Sequence, residues 1–149
     1  MQISELVRIF KSHKMQVRVC VWHKTNPSPM NGDYIWLSAA EFCIFAKHGG
    51  AVYNNHCAHS VWDYPLAVEM ELRTSIHPTM KPLSLIEYLV KSSSNRGDII
   101  FDPCFGSGTT AVACMLQGRK FVGCELNECY YDAAVQRVKD TMIPNKLFG

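Results

Sequence analysis

The 149-residue chain has no apolar run long enough to cross a membrane. Its first residues, Met1-Gln2-Ile3-Ser4-Glu5, lack the basic start and apolar core of a secretory leader. The expectation is a cytoplasmic chain with no membrane partner. Internal repeats, low-complexity tracts and a linker between two halves are also missing, which excludes solenoids and predicts one domain over residues 1–149. Charge of one sign is scarce. Fifteen Lys and Arg against thirteen Asp and Glu leave a net charge of +2, too small by itself to demand a nucleic-acid partner. It permits one if Arg8, Lys11, Lys14, Arg18 and Lys24 cluster; the competing reading of that set is a solvated face. Paired zinc spacing is absent too. His56, Cys57 and His59 lie close together without a second pair of ligands at a suitable distance, so no metal is expected. Cysteine is not scarce, but seven of them without a leader read as free thiols in a reducing compartment.

What the chain does have is concentrated in Ile99-Ile100-Phe101-Asp102-Pro103-Cys104-Phe105-Gly106-Ser107-Gly108-Thr109-Thr110. An apolar run ends in a carboxylate, a tight loop with two glycines follows, and a helix rich in small residues comes next. Glycine lets backbone approach a ligand with no Cβ in the way, and a helix start turns N–H groups towards it. No Lys follows the second glycine, so this is not a Walker loop, and it is not the G-x-G-x-x-G dinucleotide fingerprint. Gly118 suits a helix C-cap. Arg119 to Glu125 reads as a buried strand ending in a carboxylate able to accept hydrogen bonds from two ribose hydroxyls. Asn127 suits the N-cap of a helix beginning near Glu128. Upstream, Ser75-Ile76-His77-Pro78-Thr79-Met80-Lys81-Pro82 leads into a helix opened by Pro82, with Leu83, Ile86, Leu89 and Val90 on its apolar face.

The order His-Pro-Thr-x-Lys-Pro, helix, strand, Asp-Pro-x-x-Gly-Ser-Gly-Thr-Thr, helix, strand, Gly-x-Glu resembles the DNA amino-methyltransferases, in the class whose catalytic motif precedes the cofactor motif. Val21 to Pro29 and Glu41 to Lys47 are similar to that family's middle strands. The resemblance implies an α/β fold with an open, mostly parallel, Rossmann-like methyltransferase sheet. It implies S-adenosylmethionine as cofactor and methyl transfer to the exocyclic amine of adenine or cytosine in DNA. Asp102, Phe105, Gly106, Gly108 and Thr109 then line the methionine side of the cofactor site, Glu125 holds the ribose, and His77, Thr79 and Lys81 belong to the segment next to the methionine moiety.

One departure counts. Family members carry Asp-Pro-Pro-Tyr or a close variant, and no such tetrapeptide occurs here; Asn26-Pro27-Ser28-Pro29 and Asp63-Tyr64-Pro65 are lookalikes in the wrong places. The chain resembles the family's C-terminal part, cut after its catalytic motif, and no catalytic residue is assigned. In the family the motif's strand lies at the centre of the sheet. Its loss leaves a gap between Ile99–Pro103 and Val17–Trp22, which predicts that those strands pair directly, or that another chain fills or covers the gap, either as a homo-oligomer or as a partner supplying the missing segment. The alternative function is an inactive remnant that binds cofactor or DNA or stabilises a partner; a zinc-dependent nucleic-acid module would rest on His56, Cys57 and His59 alone.

The remaining elements follow from periodicity. Ile3, Leu6, Val7 and Phe10 form a helical stripe, Gln16–His23 and Glu41–Ala46 read as strands, and Gly49-Gly50 turns into a third strand near Ala51–Tyr53. Residues 54–75 show no clear period, and Tyr131, Val135, Val138 and Met142 mark a last helix. Trp22, ending a buried strand, reads as core, whereas Trp36 and Trp62 stay open to base stacking.

Overall fold

The computed structural model describes residues 3–28, 35–66 and 79–142. The chain divides into two units, Met1–Leu66 and Ala67–Gly149. In the first, the stripe of Ile3, Leu6, Val7 and Phe10 forms the half-buried side of helix α1 (Ile3–Ser12). Strand β1 (Gln16–Lys24) is central in its sheet. On one side β2 (Ala40–Lys47) runs antiparallel, from Gln16↔Lys47 to His23↔Ala40. On the other, β3 (Val61–Tyr64) runs parallel, from Val21↔Val61 to Lys24↔Tyr64. Trp22 is core, as its position suggests: it is 4% exposed, and its Nε1–H donates to the Tyr64 carbonyl at 2.8 Å, tying β1 to β3.

One expectation is corrected here. Gly49-Gly50 does form a turn, closed by the Ala51 N–H donating to the His48 carbonyl at 3.0 Å, but Ala51–Tyr53 adds no strand. The Tyr53 ring instead packs back on Phe45 at 5.5 Å between centroids. The third strand is Val61–Tyr64, inside the stretch without a period; four residues are too few to show one, and their partner lies forty positions away. Among the described residues the ladder partners of β1 are β2, along most of its length, and β3 from Val21 onward.

The second unit alternates helix and strand: α2 (Leu83–Ser93), β4 (Ile99–Asp102), α3 (Thr109–Leu116), β5 (Lys120–Gly123) and α4 (Glu128–Met142). Strands β4 and β5 are parallel, from Ile99↔Lys120 to Asp102↔Gly123, joined through α3 as a parallel crossover requires. Val90, Ala113 and Cys114 form the core, with Leu83, Ile86, Ile100 and Phe121 packed against it. The small residues of α3 let α2 and the sheet approach closely. Pro82 is the N-cap of α2, with extended ψ of 132°, and its carbonyl accepts from the Ile86 N–H. Gly118 follows α3 at φ +71°, the left-handed position that ends a helix with least strain in glycine. The opposite face of the sheet is open: Ile99 is 65% and Phe101 62% exposed. Among the described residues β4 pairs with β5 alone. No described helix is long and apolar enough to cross a membrane.

Candidate functional site

Asp102, the last residue of β4, organises the loop that follows it. Its Oδ1 accepts from the Cys104 N–H at 3.1 Å, closing a turn across Pro103, and its Oδ2 accepts from the Thr110 hydroxyl at 2.7 Å, fixing that turn to the first turn of α3. The parallel ladder continues into the loop: the Cys124 N–H donates to the Asp102 carbonyl at 3.1 Å, and the Phe105 N–H to the Cys124 carbonyl at 3.2 Å. Gly106 and Gly108 then take φ of +52° and +75°. Gly108 is the N-cap of α3, and a Cβ there would lie 2.9 Å from the Ala134 Cβ of α4. Both the left-handed backbone and the close approach demand glycine.

Glu125 reaches the same loop from the far side. One carboxylate oxygen accepts from the Gly106 N–H at 2.9 Å and the other from the Asn127 N–H at 2.9 Å. Asn127 caps α4, its side-chain oxygen accepting from the Tyr130 N–H at 3.2 Å. The Phe105 ring meets Phe121 and Tyr131, each at 5.9 Å. The third piece comes from the residues before α2: the Thr109 hydroxyl donates to the Lys81 carbonyl at 3.4 Å.

These pieces enclose a cavity of about 210 Å³. Thr79, Lys81, Asp102, Phe105, Gly106 and Thr109 line it, six of the nine residues singled out from the sequence. Gly108 and Glu125 lie outside the lining and act on the loop, through the helix cap and the Gly106 N–H. His77 lies outside the described residues. Sequence reasoning missed Ile86, Cys104, Ser107 and Thr110, which also line the cavity; the threonine pair after the second glycine was the available signal for Thr110. It also missed Arg137 of α4, whose guanidinium touches Ser107 and Thr109. A larger space of about 640 Å³ opens between α3, β5 and α4, with Phe121, Tyr131, Val135 and Val138 among its walls. It is mostly apolar, whereas the convergent backbone N–H groups, hydroxyls and carboxylates gather at the smaller cavity, which is where a polar ligand would be oriented.

Elsewhere the candidates thin out. Arg8 pairs with Glu5 at 2.6 Å, and Lys24 pairs with Glu41 at 3.0 Å and lies over the Trp22 ring, so two members of the basic set serve contacts within the chain. Lys11, Lys14 and Arg18 are exposed. Trp62 is half-buried with its Nε1–H on the His59 carbonyl, and Trp36 is 97% exposed. Among the described residues no three His, Cys, Asp or Glu side chains converge on a metal position. Burial pushes the Cys20, Cys43 and Cys114 thiols up.

Residues 4–136 match the model of a DNA methylase family, the N6/N4 type. The chain is 39% identical over 114 residues to the DNA adenine methyltransferase YhdJ of Escherichia coli (strain K12), covering 72% of this chain and 39% of that protein. It is 31% identical over 137 residues to the type II methyltransferase M.HinfI of Haemophilus influenzae, covering 80% and 38%. The chain thus spans about two-fifths of the length of these curated relatives. Among solved structures, M1.HpyAVI in complex with SAM superposes with a TM-score of 0.78 at 29% identity, covering 91% of this chain and 69% of that one. The cytosine-N4-specific PvuII DNA methyltransferase reaches 0.72 at 15% identity over 91% and 59%, a likeness of fold.

Proposed function

Because the chain belongs to the DNA methylase family, we propose that it binds S-adenosylmethionine at the glycine loop and serves methyl transfer to the exocyclic amine of adenine or cytosine in DNA. The observation that carries this reading is the double grip on the loop: Asp102 fixes its start and Glu125 holds its Gly106 N–H. A loop held in one conformation loses little further freedom when a ligand arrives. In this reading Thr79, Lys81, Asp102, Phe105, Gly106 and Thr109 surround the methionine end. Glu125 accepts from the ribose hydroxyls, and the fully exposed Leu126 next to it offers apolar surface to the adenine ring. The cofactor supplies an electrophilic methyl group on a sulfonium; transfer joins that methyl to the amine nitrogen and releases the thioether product and a proton. The family model runs across the boundary between the two units, which supports reading residues 1–149 as one methyltransferase-like domain.

Methyl transfer also needs groups that accept hydrogen bonds from the amine and aim its lone pair, and an aromatic ring to hold the base outside the duplex. The Asp-Pro-Pro-Tyr that supplies them in the family does not occur in this sequence. The second reading is therefore a cofactor-binding chain that acts with a partner chain supplying that segment. That among the described residues β4 pairs with β5 alone favours it, since a free strand edge recruits another strand.

Calorimetry with S-adenosylmethionine and its demethylated product tests the first reading; no binding by the unmutated chain removes it. Labelled-methyl transfer to unmethylated DNA separates the two. The isolated chain is expected to show little turnover, and a co-purified chain carrying Asp-Pro-Pro-Tyr to restore it. Robust turnover by the isolated chain would mean that other residues activate the amine.

A further inference from the structure

Arg137 sits in the third turn of α4, outside every motif of the cofactor loop, and its guanidinium reaches both segments that form the cavity. Its Nη1 lies 3.1 Å from the Ser107 carbonyl, 2.9 Å from the Thr109 hydroxyl and 3.2 Å from the sulfur of Met80, the buried residue between Thr79 and Lys81. The Thr109 hydroxyl passes the connection on to the Lys81 carbonyl. One turn earlier on the same face, Ala134 is 3% exposed and abuts Gly108. Glu125, just before α4, holds Gly106. Helix α4 and the residues leading into it therefore meet residues 106–109 at each step: the Glu125 carboxylate on the Gly106 N–H, the Ala134 methyl against Gly108, and the Arg137 guanidinium on Ser107 and Thr109. Arg137 itself does not line the cavity.

We propose that Arg137 is a positioning residue for the cofactor: it locks the glycine loop to the Thr79–Lys81 segment, so that both walls of the cavity are in place before the ligand arrives. This rests on the cofactor reading above. All three contacts run to one terminal nitrogen; the rigid, weakly hydrated guanidinium carries that nitrogen to two oxygens and a sulfur, whereas the compact, strongly hydrated ammonium of lysine on its flexible stem serves such a position less well.

The test uses the full chain, S-adenosylhomocysteine as the calorimetric ligand, and amide hydrogen exchange of the 104–110 peptide without ligand. Arg137→Gln is expected to weaken binding ten- to a hundredfold and to speed exchange of that peptide, with the far-UV spectrum unchanged. Arg137→Lys should recover part of both. If Arg137 acts through Thr109, adding Thr109→Val to Arg137→Gln should weaken binding by less than the product of the two single effects. Binding within twofold of wild type in a folded Arg137→Gln variant overturns the proposal, as does a fully multiplicative double variant. Should Arg137→Gln fail to fold, Arg137→Lys decides: a folded lysine variant with wild-type affinity and exchange overturns the proposal, and partial loss of both supports it. If the wild-type chain does not bind the ligand at all, the cofactor reading fails separately. Exchange then decides whether Arg137 orders the loop, faster exchange in the variant supporting it and unchanged exchange overturning it.

Discussion

Replacing three glycines of the second unit by alanine, one at a time, separates the two constraints on the cofactor loop. At Gly97, φ is +88° and nothing lies within 4 Å of a built Cβ, so the cost is backbone strain alone. The left-handed region costs an L-residue about 1–2 kcal/mol, offset by about 0.4–1 kcal/mol from the stiffer unfolded chain, a net of about 1 kcal/mol. At Gly123, φ is not positive, but a Cβ would meet the Phe121 ring at 2.5 Å and both the Asp102 carbonyl and the Phe105 ring at 2.8 Å. Overpacking of that kind costs about 1–3 kcal/mol. Gly108 suffers both: φ of +75° and an Ala134 Cβ at 2.9 Å, on a residue 3% exposed. The sum is about 2–4 kcal/mol. Urea unfolding followed by circular dichroism at the helix band measures it. Tryptophan fluorescence would not report on this unit, because Trp22, Trp36 and Trp62 all lie in the first one. Gly108→Ala should cost at least about 1 kcal/mol more than Gly97→Ala, and should cost less in an Ala134→Gly background than in the wild type. Equal losses at Gly97 and Gly108, or no relief from Ala134→Gly, would refute the claim that α4 presses on the loop.

Glu125→Ala is expected to weaken S-adenosylmethionine binding by about 1–3 kcal/mol, the loss of hydrogen bonds to a charged group, read by calorimetry. Cys104 is exposed at the cavity wall whereas Cys20 and Cys114 are buried. Alkylation followed by mass spectrometry should mark Cys104 early and those two late, and saturating cofactor should protect Cys104. Stability should fall as pH rises past the ordinary thiol value of about 8.5. Burial holds the Cys20, Cys43 and Cys114 thiols protonated in the folded chain while they ionise in the unfolded one, so the unfolded state binds fewer protons there and the slope is negative. Cys114→Ala should flatten that slope in urea unfolding measured from pH 7.5 to 10, and an unchanged slope would assign it to other groups.

The frame of the candidate site was legible because its bonds are local. Asp102, the two loop glycines, Gly118, Asn127 and the apolar face of α2 each act within a few residues of themselves, and the structure sets them where their spacing suggests. Glu125 was legible as a carboxylate near a strand end, though the strand stops at Gly123, and its grip on the Gly106 N–H was not, because that bond spans nineteen positions. Arg137 was invisible for the same reason, lying 28 positions from Thr109 and looking like one more solvated helix cation. Strand β3 was missed because four residues carry no period and its placement is decided by the edge of β1. Tyr53 was misplaced because a ring that packs on Phe45 leaves the same alternating signature as a strand residue.

Every described residue assigned to the cofactor, from Thr79 to Glu125, belongs to one of the two units, and so does the arginine that braces them. Their mutual bonds do not depend on which piece of polypeptide comes before or after. The described contacts of this pocket are all made within the stretch from Thr79 to Arg137, so a single contiguous piece of chain builds it.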